Sequence, residues 1–359
     1  MSKKFIRQGD RGLFDEFMQN LDVSAYETPL LRIGKLVDWS VFEPTLYRAV
    51  LKEAKGPGGR PRFAPILMFK VLVLQKLHGL ADDATSFQII DRASFRAFLG
   101  LTPGDVVPDG QTILDFKEAL RKSGAYETLF SVFLGHLQTR HGLALAKEGV
   151  MVDATFVEVP KQRNTRQQNE EIKEGEVPEE FQGQPRLLAQ KDLDARWTKK
   201  HNVSYFGYKN HVKVDVSDKL ILQSTQTTAS EHDSQALEEL IAESDQVVWA
   251  DSAYSSAELA DALRAKGLET QICEKGNRAA TLNEAKKAAN RTKSRVRSRV
   301  EHVFAQMTGS MRALWQRCIG YERNFASIQL TNLVYNLLRF EQIQRLGLKG
   351  TYQMPGLAA

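Results

Sequence analysis

The sequence predicts an α/β fold: an all-helical N-terminal domain over 1–145, a mixed-sheet domain over 146–345, and a short tail, 346–359. Two observations carry this. Apolar residues recur at helical spacing through the first part, then give way at Gly149 to short β-branched runs. From there the order is three strands, then helix and strand in alternation. A hairpin followed by such alternation implies a mixed sheet with helices on its faces.

In the first part, "DWSVFEPTLYRAVLKEA" carries Phe42, Leu46, Val50 and Leu51 on one helical face. "AKGPGGRPR" (54–62) is a loop, with three glycines and two prolines. "FAPILMFKVLVLQKLHGL" is apolar on nearly all sides and reads as a buried helix, with Pro65 in its first turn and Gly79 as its C-cap. "PDGQTILDFKEALRKSG" has Asp109 as N-cap and Gly124 as stop. "AYETLFSVFLGHLQTRHG" is a further amphipathic helix, and a basic arm (Lys3, Lys4, Arg7) precedes them all.

In the second part, "VMVDATFVEVP" is a strand closed by Pro160. The polar stretch that follows, an insertion at about 160–202, lacks apolar periodicity and is expected to be partly disordered. "YFGYKNHVKVDV" and "ILQSTQTTAS" form a hairpin around "SDKL". "DSQALEELIAES" reads as a helix capped by Asp233, "QVVWAD" as a short buried strand, "SSAELADALRAKG" as a helix and "LETQIC" as a strand. A second irregular, basic insertion spans about 274–290; a long helix starts near Arg291 and another covers about 325–346.

Composition narrows the class. With 42% hydrophobic and 26% charged residues the chain is that of an ordinary globular protein. The longest apolar run, "ILMFKVLVL", is too short to span a bilayer, and the N-terminus has no signal-peptide core. Two distant cysteines, Cys273 and Cys318, give neither a disulfide framework nor a CxxC metal site. A cytoplasmic protein with no membrane partner is expected. The net charge is +5, but from Lys275 to Arg299 there are nine basic residues and one acid, Glu284, a local excess larger than that of the whole chain. Such a polycation is either a solvated face or a phosphate-binding segment.

Three carboxylates stand out. Asp153 lies within a strand, where a charge costs desolvation unless a metal or an arginine partners it. Asp251 closes the strand "QVVWAD"; it either caps the following helix or faces a site. Glu301 follows the alternating cations of "RTKSRVRSRVEHVF" and lies one helical turn after Arg297. It is either a solvated counter-charge or part of a site. Together the three suit hard divalent cations, which favour a few carboxylates plus water and phosphate.

"VDATFVEVP", "YFGYKNHVKVD", "TASEHD", "WADSAY" and "RSRVEHVF", in this order, resemble the DDE transposases of bacterial insertion sequences, specifically the insertion-sequence-5 family. The resemblance implies an RNase H-like catalytic domain with Asp153, Asp251 and Glu301 as catalytic, metal-holding triad, and Mg²⁺ as cofactor with Mn²⁺ able to substitute. It implies cleavage at element ends and strand transfer; the rival readings are a domesticated transposase kept as a DNA-binding regulator and a same-fold nuclease without strand transfer. Partners would be double-stranded DNA (terminal inverted repeats and target) and further copies of the chain, as a homodimer or larger synaptic assembly on the nucleoid. The helical domain would serve DNA binding and dimerisation. Candidate DNA contacts are Arg295, Arg297, Arg299, Lys293 and Lys209; His302, Tyr254 and His232 are candidate supports of the site. Related transposases often carry a Tyr and a Lys around the glutamate where this chain has Ser294 and Thr308.

Overall fold

The structure, a computed structural model, describes residues 23, 26–51, 61–254, 263, 265–274, 283–349, 351 and 352. The basic arm, most of the 54–62 loop, most of the helix expected after Tyr254, and residues 275–282 lie outside the described residues. The chain divides into two compact units.

The first unit takes the described chain up to Gly142, with Ser310–Arg312 and Leu333–Gln342. It is all helical: α1 (Pro29–Leu36), a 3₁₀ turn (Trp39–Phe42), α2 (Glu43–Val50), α3 (Pro65–His78), α4 (Asp82–Asp91), α5 (Ala93–Leu99), α6 (Gly110–Lys122) and α7 (Ala125–His141). The caps are those the sequence announces: Asp109 accepts from the Thr112 amide at 2.7 Å, and Gly79 ends α3 in the left-handed region. Nearly the whole of α3 is buried, packed around Trp39, Phe42, Phe69 and Phe133.

The second unit holds a six-stranded mixed sheet: β1 (Val150–Glu158), β2 (Arg196–Lys200), β3 (Val203–Asp215), β4 (Ile221–Thr228), β5 (Val247–Ala250) and β6 (Glu269–Ile272). The order is β2-β3-β1-β5-β6, with β4 also on β3. β2 pairs with Val203–Gly207 and β4 with Tyr208–Val214, so the two share one edge of β3 while β1 takes the other. The β1–β3, β2–β3 and β3–β4 pairs are antiparallel; β1–β5 and β5–β6 are parallel. Gly207 is obligatory in β3: its φ is +144°, and a Cβ there would stand 2.2 Å from the Val157 carbonyl oxygen.

β3 buries five polar side chains, Lys209, His211, Lys213 and Asp215 on one face and Asn210 on the other, and each has a partner. Lys209 pairs with Asp233 at 2.7 Å, Asn210 with Asn332 at 2.9 Å, His211 with Thr227 at 2.8 Å, and Lys213 with Asp245 at 3.1 Å. Asp215 accepts from the amides of Ala146 and Asp218, fastening the β3–β4 turn.

Four expectations are corrected. The polar stretch after Pro160 is ordered: α8 (Arg166–Lys173), with a full Thr165–Gln168 capping box, α9 (Glu179–Gln182) and α10 (Pro185–Leu188) lead into β2. Local capping of α8 and one anchoring apolar residue each in α8 and α9, Ile172 and Phe181, substitute for an amphipathic stripe. Asp233 is not a helix cap; His232 caps a 3₁₀ turn that continues into the short α11 (Leu237–Leu240), and Asp233 is drawn to Lys209. The helix α12 begins at Glu284, capped by Asn283, and ends at Arg297. A 3₁₀ turn (Ser298–Val300) separates it from α13 (Glu301–Thr308); the last helix, α14, runs Tyr321–Leu346.

Candidate active site

β1 and β5 run parallel, with Val152 opposite Ala250. The next residue on each is a carboxylate, so the register sets Asp153 beside Asp251, one inter-strand spacing away. β5 stops at Ala250, which opens the edge of β1 from Asp153 onward. Backbone amides hold each acid: Ala154 donates to Asp153 Oδ1 at 2.8 Å and Ser252 to Asp251 Oδ1 at 2.6 Å.

Arg297 closes the group. Its Nη1 donates to Asp153 Oδ2 at 2.9 Å and its Nη2 to Glu301 Oε1 at 2.8 Å. One guanidinium thus spans two carboxylates, the geometry for which arginine is suited. Asp153 is the more buried partner, and Glu301 is 59% exposed. Burial pushes the Asp153 carboxyl up to about 6; the Ala154 amide and Arg297 pull against this, Asp251 adds to it, and Lys200 opposes it weakly. Burial works against the charge of Arg297, yet Asp153, Asp251 and Glu301 outweigh it and raise its pKa above the ordinary value. Among the described residues, no group of three or more His, Cys, Asp or Glu stands close enough to hold a metal ion. The guanidinium lies between Asp153 and Glu301 instead.

Tyr254, three residues after Asp251, is buried. Burial, then the charges of Asp153, Asp233 and Asp251, raise its pKa well above the ordinary value, and its hydroxyl has no hydrogen-bond partner among the described residues. His302 is exposed on α13, and His232 accepts from the Ser234 amide in its 3₁₀ cap.

The five alternating cations do not share a face. Alternation is a strand pattern; on a helix, successive alternate residues are turned by about 200°. Arg291 faces Glu284 at 3.8 Å, and Lys293 donates to the Ile272 carbonyl at 2.9 Å. Arg299 donates to the carbonyls of Val216 and Ser217, both at 3.0 Å, and lies 3.6 Å from the Tyr352 ring centre. Arg295 is exposed. Lys209, buried, spends its ammonium on Asp233 and the Glu231 carbonyl. Lys200, at the end of β2, lowers the Asp153 pKa slightly, a contribution that no sequence motif signalled.

Two family models match. Residues 145–337 match the transposase DDE domain, and residues 19–119 match the transposase domain (DUF772). The chain belongs to the DDE transposases. The first match covers more than half of the chain and contains all three acids. The mixed sheet of this transposase is accordingly the RNase H-like core of that family, and its all-helical first unit carries the second match. No solved structure matches the chain. No helix among the described residues is long and apolar enough to cross a membrane.

Proposed function

We propose that Asp153, Asp251 and Glu301 form the centre at which this transposase cuts DNA at the ends of its element and joins the exposed 3′ ends to target DNA. The observation that carries the reading is the β1–β5 register, with Asp153 beside Asp251 and Arg297 linking Asp153 to Glu301. Three carboxylates are the donor set that hard divalent cations such as Mg²⁺ or Mn²⁺ take, so the residues fit the cofactor by chemistry. When bound, such ions make water a nucleophile and stabilise the leaving 3′ oxygen.

The chain's own groups have separate tasks. Asp153 and Asp251 present oxygens at the open edge of β1, already oriented by backbone amides. Arg297 neutralises the acids while no other cation does, and swings from Glu301 toward phosphate when one arrives. The joining step uses the same centre: the freed 3′ oxygen attacks a target phosphodiester, and the displaced target 3′ oxygen takes up the proton. Two ends have to be cut together, which calls for at least a dimer.

The test is cleavage of a supercoiled donor plasmid carrying the cognate ends, with Mg²⁺. Asp153→Ala is expected to lower cleavage by at least about two orders of magnitude, as loss of an electrostatic catalytic group does. Full activity would overturn the assignment. Joined products in the same assay distinguish a transposase from a nuclease that only cuts.

A further inference from the structure

Beyond Asp153, the sheet carries an aromatic and cationic surface that the catalytic reading does not use. The strand registers define it. Glu158 lies opposite Gly207 on one side and bridges Trp315 on the other; Gly207 lies opposite Arg196, and Phe156 opposite Lys209. Residues in register, and those two apart along a strand, share a face. Phe156, Tyr205, Trp315, Lys200 and Lys209 therefore project from the same side of the sheet, and Arg317 joins them through its contact with the Trp315 ring.

Their contacts are specific. The rings of Phe156 and Tyr205 stack at 4.2 Å with 12° between planes, and Gly207, between them, has no side chain to keep them apart. The ammonium groups of Lys200 and Lys209 lie 5.9 and 5.7 Å from the Phe156 ring centre. The Arg317 guanidinium lies 5.6 Å from the ring centre of Trp315, which is 53% exposed. Lys209 is committed to Asp233, but Lys200 and Arg317 are exposed. A large exposed indole beside a stacked ring pair, with two solvent-facing cations, suits a ligand with flat π faces and regular negative charge.

We propose that this face binds an unpaired DNA strand beside the cut, with bases stacking on Trp315 and on the Tyr205–Phe156 pair and phosphates meeting Lys200 and Arg317. The proposal rests on the catalytic reading of Asp153 for where the cut lies. Phe156 is three residues from Asp153 on β1, about 10 Å at strand rise, and leaves the strand on the opposite face; a strand leaving the cut reaches it around the edge of β1 that β5 leaves open after Ala250. Stacking is blind to base identity, so the face holds a strand without reading its sequence.

The experiment measures binding by fluorescence anisotropy, with the full chain in EDTA so that no cleavage occurs. The probes are a blunt duplex, the same duplex with an oligothymidine tail, and the oligothymidine alone. The tail should strengthen binding by the wild-type chain. Trp315→Ala and Tyr205→Ala should each remove about tenfold of affinity for the tailed probe and leave the blunt duplex unchanged. Trp315→Phe should keep most of the tail's effect. Trp197→Ala, an exposed indole whose register partner Phe206 lies on the other face of the sheet, should keep all of it. The proposal is overturned if the tail adds nothing for the wild-type chain, if Trp315→Ala weakens both duplexes equally, or if Trp197→Ala matches Trp315→Ala. Melting curves identify any variant that has not folded, and for Tyr205 the comparison then passes to Tyr205→Phe. Because no metal is present, an active Asp153→Ala protein would overturn the catalytic reading while leaving the tail's effect intact.

Discussion

Arg297 meets an acid 144 residues away in sequence and another one helical turn ahead. Removing a guanidinium between two acids would leave Asp153 and Asp251 to repel each other in a half-dry setting. The Tyr254 hydroxyl is the opposite case, a buried donor without a partner among the described residues. An unmet polar group is a liability to the fold, so Tyr254→Phe should leave thermal stability unchanged or raise it by up to about 1 kcal/mol. If cleavage falls in the same variant, the hydroxyl serves the loaded site; a large loss of stability would show that it has a structural role. Asp215 allows a test of pH dependence away from the site. Its carboxyl rises from 3.8 to about 6, chiefly through burial, although the amides of Asp218 and Ala146 oppose the rise. The folded chain therefore holds a proton that the unfolded chain releases between those values, and stability falls as pH rises through that window. Against Asp215→Asn, wild-type denaturation curves should lose on the order of 2 kcal/mol from pH 4 to 6 and nothing further above it. Equal slopes for the two proteins would contradict this.

At the scale of elements, the β1–β3 ladder is what holds the site. It runs nine residues from Val150 to Glu158, with Asp153 the fourth. Its tightest point is Gly207, where a methyl group would meet the Val157 carbonyl at 2.2 Å with φ at +144°. Backbone, not a flexible side-chain end, is the obstacle. Gly207→Ala should therefore cost at least about 2 kcal/mol in chemical denaturation, with cleavage reduced as β1 shifts. A stability within experimental error of wild type would show that the ladder relaxes freely. The sequence displayed β1, β3, β4, β5 and β6 through β-branched content and alternation, and it displayed most caps. It concealed β2 and α8–α10, whose four to eight residues are too polar and too short for periodicity. Their order comes from a capping box, from Phe181 and Ile172, and from pairing with β3.

For the whole molecule, charge governs the approach to DNA. The net charge is only +5, and several cations of the segment before Glu301 are held by protein acceptors. Binding to random duplex should weaken linearly in a double-logarithmic salt plot, with a slope of about −0.9 per phosphate contact. Arg295→Ala should reduce that slope by about one contact, whereas Arg299→Ala, whose guanidinium is bound to Val216 and Ser217, should leave the slope unchanged and lower stability. Identical slopes for wild type and Arg295→Ala would refute this division of the basic residues.

The sequence alone determined the change from helical to strand periodicity at Gly149, the strand-borne position of Asp153, the strand-ending position of Asp251 and the one-turn spacing of Arg297 and Glu301, because these follow from local periodicity and spacing. Its ordered motifs also pointed to the family. The tertiary structure decided what spacing cannot encode: that the β1–β5 register sets Asp153 beside Asp251, that Arg297 lies between Asp153 and Glu301, and that alternating cations on a helix scatter to different acceptors. It also gathered Phe156, Tyr205 and Trp315 onto one face. The reason is physical: register and burial are set by pairing between distant segments, and the charge state of an acid such as Asp153 depends on the neighbours that pairing brings.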